Sequence, residues 1–181
     1  MQDNKQNLQT DEKFELQKVD MIQKLIGQKF CNIFYQPTAM VLGDDIFVIN
    51  FGNNIDYSLH VGTYLRFVLD NSILLTSCDI HFSPSYQSIN LRNSNEKTLL
   101  DKNLSNIKKL LKGSYVSSVS VTLTADIIIT FSNNIKLEIT TDCLCDDYEY
   151  YRFMSLGQNK KSIIVYSSNG RICIRREEDI D

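Results

Sequence analysis

The sequence predicts an α+β fold of two tandem duplicated units, each an amphipathic helix followed by about four antiparallel strands. Three observations predict it. Residues 110–139 repeat the pattern of residues 25–61: Leu110-Leu111-Lys112-Gly113 answers Leu25-Ile26-Gly27, the strand closing on Phe131 answers the one closing on Phe51, and Ser132-Asn133-Asn134 answers Gly52-Asn53-Asn54. The echo continues downstream, where Tyr151-Arg152-Phe153 matches Tyr64-Leu65-Arg66-Phe67 and residues 162–167 match residues 72–77. Strand-forming stretches also come in runs instead of alternating with helices, which separates α+β from α/β. The expected divisions are a disordered N-terminus at 1–12, a first unit at 13–82, a linker at 83–95, a second unit at 96–176 and an acidic tail at 177–181.

Taken in order, residues 13–26 place Phe14, Val19, Ile22, Leu25 and Ile26 at three- and four-residue steps, an amphipathic helix. Gly27 stands where the left-handed residue after a helix belongs. Residues 29–36 are aromatic and β-branched and read as a strand that ends before Pro37. Residues 40–42 and 45–51 read as strand pieces around Gly43-Asp44. The Gly-Asn-Asn turn at 52–54 suits a hairpin into residues 56–61, and residues 73–78 form a further strand. Pro84 and a cluster of Ser and Asn mark residues 83–95 as the linker.

The second unit opens with a helix over 96–111. Leu100, Leu104, Ile107 and Leu111 share one face, Lys102, Lys108, Lys109 and Lys112 lie off it, and Gly113 follows as the cap. Residues 115–123 alternate, setting Tyr115, Ser117, Val119, Val121 and Leu123 against Val116, Ser118, Ser120 and Thr122. Residues 126–131 and 135–140 make the repeated hairpin. Residues 162–167 and 171–175 make a last one, turned by Asn169-Gly170. Phe51 and Phe131 are expected at equivalent buried positions.

Composition excludes several functions. The 181 residues carry 19 Lys and Arg against 22 Asp and Glu, a net charge of −3, which argues against a chain whose main task is gripping nucleic acid. No apolar run approaches the ~18 residues of a membrane span, so no membrane partner is expected. The five cysteines lack disulfide spacing and read as reduced thiols of a cytoplasmic protein. His60 and His81, the only histidines, pair with no nucleophile and carboxylate in any catalytic spacing, and no phosphate-cradling glycine loop is present. The chain reads as a non-enzyme without a cofactor. Cys143-Leu144-Cys145 beside Asp142, Asp146 and Asp147 lacks the second pair that a structural zinc site needs, so no metal is expected.

Three surface features carry two readings each. Arg66 and Arg152 occupy matching places; they are either anion sites or structural clamps on a carboxylate of their own lobe, with Asp45 and Asp126 the nominated partners. The lysine face of the second helix is either a phosphate contact or an ordinary solvated face. Residues 142–151 interrupt the internal symmetry, since the first unit has only Gly62-Thr63 there. From Leu137 to Tyr151 there is no basic residue and there are five acidic ones, interleaved toward the end with Tyr148, Tyr150 and Tyr151. This is either a solvated acidic loop or a docking surface for a basic partner, with tyrosines as anchors and carboxylates for steering.

A helix closing on Leu-x-Gly, a strand, an apolar strand ending in Phe, an Asn-rich turn and an aromatic-Arg pair before a last strand resemble a group of small bacterial β-rich proteins. Some of these look like the immunity proteins encoded beside polymorphic or contact-dependent growth-inhibition toxins. The resemblance spans roughly residues 22–80 and 108–172; where its pattern has Trp-Arg, this chain has Leu65-Arg66 and Tyr151-Arg152. It implies a protein that binds a cognate toxin, commonly over the active site, without chemistry of its own. A nuclease toxin has a basic cleft for a polyanion, and the toxin-binding residues expected here are Asp142, Asp146, Asp147, Tyr148, Glu149 and Tyr150. No direct nucleic-acid contact is expected. The alternative is a small-ligand-binding or scaffold module.

Overall fold

Period-two alternation puts Ile127, Ile129 and Phe131 on one side of their strand, and all three are fully buried while Ile128 and Thr130 between them are half-exposed. The computed structural model in which this is seen describes residues 21–36, 46–85, 87, 97–122, 124–141, 148–156, 160–168 and 171–178, residues 177 and 178 by backbone alone. Its strands are β1 (Phe30–Gln36), β2 (Ile46–Phe51), β3 (Tyr57–Val61), β4 (Leu65–Leu69), β5 (Ser72–Thr76), β6 (Val116–Val121), β7 (Ile127–Phe131), β8 (Lys136–Ile139), β9 (Glu149–Ser155), β10 (Lys161–Ser168) and β11 (Arg171–Glu178). The long α-helix among the described residues, α1 (Leu99–Leu111), precedes β6.

These strands form two antiparallel sheets, so the fold is α+β. One has the order β1-β2-β3-β9-β10-β11 and the other β5-β4-β8-β7-β6. The first sheet thus joins the meander β1-β2-β3 to the later strands β9-β10-β11, and the second joins the hairpin β4-β5 to the meander β6-β7-β8. The joints have the same form: Val61 of β3 pairs with Tyr151 of β9, and Ile139 of β8 pairs with Leu65 of β4. One hydrophobic core takes side chains from both sheets, including Phe51, Leu59 and Phe153 from the first and Phe67, Phe131 and Leu137 from the second.

Backbone hydrogen bonds recur in matched pairs across the two halves. The Phe30 N–H donates to the Ser114 carbonyl and the Val116 N–H to the Gln28 carbonyl, both at 2.9 Å. The Gly52 N–H donates to Lys29 and the Ser132 N–H to Tyr115, both at 2.8 Å. Gly27 and Gly113, at φ +84° and +80°, take the left-handed conformation that lets the chain leave a helical segment.

The strand expected over 115–123 departs from strict alternation. The register slips between Val116 and Ser118, so Val116 and Val119, three apart, are both buried. β1 does the same between Phe30 and Asn32, burying Phe30 and Ile33. A bulge inserts one unpaired residue, and the side-chain parity changes across it.

Helix α1 starts at Leu99 because Thr98 caps it: the Thr98 hydroxyl accepts from the Asp101 N–H at 3.2 Å and the Asp101 carboxylate from the Thr98 N–H at 2.8 Å. It buries Leu100, Leu104, Ile107 and Leu111 against β5 and β1, and leaves Lys102, Lys108 and Lys109 exposed. Of the helix expected over 13–26, only the end is described, helical at 21–22 and closing in a 3-10 turn at Gln23–Leu25. Among the described residues no helix is long and apolar enough to cross a membrane.

Candidate functional site

Two crossovers carry the chain between the sheets, and they meet. The first runs from Val61 of β3 to Leu65 of β4, the second from Ile139 of β8 to Glu149 of β9. The Thr63 hydroxyl donates to the Thr140 carbonyl at 2.8 Å, and the Thr140 N–H returns a bond to the Tyr64 carbonyl at 3.1 Å. The Gly62 N–H donates to Tyr150 at 2.9 Å, and the Tyr148 hydroxyl donates to the Gly62 carbonyl. Glycine at 62 eases this approach, since a Cβ there would lie a tight 3.0 Å from the Glu149 carbonyl oxygen.

A second anchor holds the long crossover to the β6–β7 turn. Asp126 accepts from the Thr141 N–H at 2.8 Å, the Thr141 hydroxyl at 3.0 Å, and the hydroxyls of Thr124 and Thr122 at 2.9 and 3.2 Å. Partial burial pushes its pKa up, but these bonds outweigh burial and hold it below the ordinary value. The Tyr151 hydroxyl, fully buried, donates to the Ala125 carbonyl at 3.0 Å, and burial raises its pKa far above the ordinary phenol value. The spacing Thr122-x-Thr124-x-Asp126 was the sequence signal for this knot, as hydroxyl and carboxylate side chains that close a turn on themselves.

The candidate residues divide sharply. Asp142, Asp146 and Asp147 lie outside the described residues, as do Cys143 and Cys145. Tyr148 is half-buried, edge-on to Tyr150 with ring centroids 5.6 Å apart. Tyr150 itself is fully buried and belongs to the core. It is therefore a correction to the expected docking surface: β9 begins at Glu149, the Tyr150 carbonyl accepts from the Gly62 N–H, and the Tyr150 side chain is enclosed in the core. Glu149 is half-buried and bound to Arg152 of its own strand.

The arginines are clamps in part, but on other carboxylates than those nominated. Arg66 meets Glu138 across the β4–β8 joint at 2.6 Å, while Arg152 holds Glu149 through two bonds of 3.0 and 3.1 Å. Asp126 is instead occupied by threonines, and Asp45 lies outside the described residues. The reason is topological: β4 and β9 pair with strands of the opposite half, so each arginine faces a residue that its own half does not supply. Opposite Arg66 stands Glu138, whereas opposite Arg152 stands His60. Burial first, then the Arg152 charge, lowers the His60 pKa against a smaller pull upward from Glu149, so the ring is neutral at pH 7.

The described residues of this arrangement offer neutral and acidic hydrogen-bonding groups. Among the described residues no group of three or more His, Cys, Asp and Glu side chains is placed to hold a metal ion. Phe51 and Phe131 end β2 and β7, both fully buried, and lie against each other. No family model matches the chain, and no curated protein or solved structure matches it.

Proposed function

We propose that this chain is a non-enzymatic, protein-binding inhibitor of the immunity type, built by duplication of one helix-and-strands unit whose terminal hairpins exchanged sheets. The matched pairs of hydrogen bonds and the identical form of the β3–β9 and β8–β4 joints support the duplication. The partner on this reading is a toxin with a basic cleft, a nuclease before other classes, met in the cytoplasm without any cofactor or direct nucleic-acid contact.

A single observation carries the reading. Of two crossovers held to each other by reciprocal bonds, one runs from Val61 to Leu65 and the other from Ile139 to Glu149, and only the longer contains Asp142, Asp146 and Asp147. The frame does not need that length, since the shorter one makes the same joint. Extra chain that breaks a repeated frame, carries one sign of charge and is tied down at both ends by Asp126–Thr141 and Tyr148–Gly62 is suited to steering a cationic partner. Tyr148 and Glu149, half-buried at its end, are the described residues of this surface.

The test is co-expression of the chain with the product of the neighbouring gene in its genome. Growth rescue by the wild type and death with Asp146→Lys plus Asp147→Lys, at equal protein levels, is the expected result. Rescue undiminished by that reversal overturns the acidic interface; a harmless neighbour overturns the inhibitor reading.

A further inference from the structure

The end of the molecule opposite the crossovers carries a lysine-rich patch. β3 runs from Tyr57 beside the β2–β3 turn to Val61 at the crossover, so turns and crossovers occupy opposite poles. At the turn pole the backbone bonds from Gly52 to Lys29, from Gly27 to Val116, and from Ser132 to Tyr115 draw four segments together, and the Asn133 amide reaches the Leu110 carbonyl at 2.8 Å. Ile26, Leu110 and Tyr115 stand out from this pole, each about half exposed at 46%, 47% and 50%. The lysines there are Lys24 and Lys29 from one half and Lys108, Lys109 and Lys112 from the other, all exposed. Residues 21–36 and 102–125 contain no carboxylate, while the β2–β3 turn brings in Asp56, which accepts from the Asn53 N–H at 3.2 Å.

The β2–β3 turn adds an independent sign. Ile55 sits at φ +57° and is 40% exposed, a β-branched side chain in the left-handed region with only partial burial to offset the strain. In the matching turn Asn134 takes the left-handed position at φ +66° and Ile135 is buried. The first turn thus holds an aliphatic side chain outward where the second tucks one in.

We propose that this pole docks on an anionic lipid bilayer surface. Charge complementarity selects an anionic partner, and the kind of residue selects lipid. Compact lysine ammoniums around protruding Ile and Leu with one Tyr suit the headgroup region, where stems lie along acyl chains and charges reach phosphate. A protein interface would favour Arg and aromatic anchors and deplete Lys, and a nucleic-acid groove would interleave stacking aromatics. Adsorption of this kind needs no spanning helix. It departs from the expectation, drawn from the sequence, that the chain has no membrane partner.

The experiment is co-sedimentation of the full chain with neutral phosphatidylcholine vesicles and with vesicles holding a third phosphatidylglycerol, at low and high salt. Binding to the anionic vesicles alone, weakened by salt, is expected. Replacing Lys108, Lys109 and Lys112 together by Gln should weaken it by roughly a hundredfold, from about fivefold per lysine near the surface. Ile55→Ser plus Leu110→Ser should weaken it at both salt concentrations, with melting curves confirming that each variant folds. Absence of binding to anionic vesicles, equal binding to neutral ones, or full retention in both variants overturns the proposal, as does a preference for duplex DNA competitor over vesicles. Growth rescue by these variants stays intact if the inhibitor reading holds, so the two proposals fail separately.

Discussion

Phe51 and Phe131 stack on one another, ring centroids 6.5 Å apart and planes 11° from parallel, each closing the second strand of its meander. Two residues that the sequence sets in matching contexts thus touch each other at the place where the two sheets share their core. Phe30 adds an edge-on contact to Phe131 at 6.1 Å.

Phe131→Ala should destabilise the protein by about 4 kcal/mol, and Phe51→Ala by a similar amount, through lost burial plus the cavity left behind. Because the rings lie parallel and offset, the double variant should cost less than the two added, with a coupling of about 1 kcal/mol. Urea unfolding of the four proteins of this cycle measures it. Strict additivity would mean that the stack contributes nothing beyond area.

Asp126 gives the fold an acid-sensitive knot. Its folded pKa is depressed, so its contribution is fully present above the unfolded carboxylate value of about 3.9 and lost as pH falls through the folded value. Asp126→Asn should cost about 2 kcal/mol at pH 7, the scale of hydrogen bonds to a charged acceptor. The gap to wild type should close in acid below pH about 4. Urea midpoints from pH 7 downward test this; a gap independent of pH would place the effect in packing instead of charge.

His60 should act in a separate window. Its folded pKa is also depressed, so stability is present above its unfolded value of about 6.5 and falls as pH drops below it, before most carboxylates titrate. His60→Gln should remove the pH dependence that sets in below about 6.5 while leaving the acid limb below pH about 4 unchanged. Arg152→Met should shrink the same effect, because the Arg152 charge is the second cause of the depression.

Ile55→Gly should stabilise the fold by roughly 1 kcal/mol, since relief of left-handed strain exceeds the entropy that glycine adds to the unfolded chain. Ile135→Gly, at the buried counterpart, should destabilise by several times as much. Thermal melts of the two variants check both signs, and destabilisation by Ile55→Gly would show that the exposed side chain packs more than it strains.

Some of this was legible without coordinates because it is local. The α1 stripe from Leu100 to Leu111, the glycines at positive φ after each helical segment, and the alternation Ile127-Ile129-Phe131 all rest on a few neighbouring residues. Helix cap, turn and face are decided within one element, so type and order of elements follow from the chain. The two bulges were not legible, because strand 116–121 reads as plain alternation until its partner fixes which residue goes unpaired.

Partner choice belonged to the tertiary structure. Nothing near Arg66 in sequence says that it will face Glu138, or that Arg152 will face His60 and turn back to Glu149. Tyr150 looked like a surface anchor among carboxylates, yet the strand that carries it pairs with β3 of the other half and buries it in the shared core. Sequence period sets which side of a strand is apolar; which strand lies beside it depends on how two greasy faces of both halves close over one core. That closure is a non-local free energy, and it exists only once the whole chain is folded.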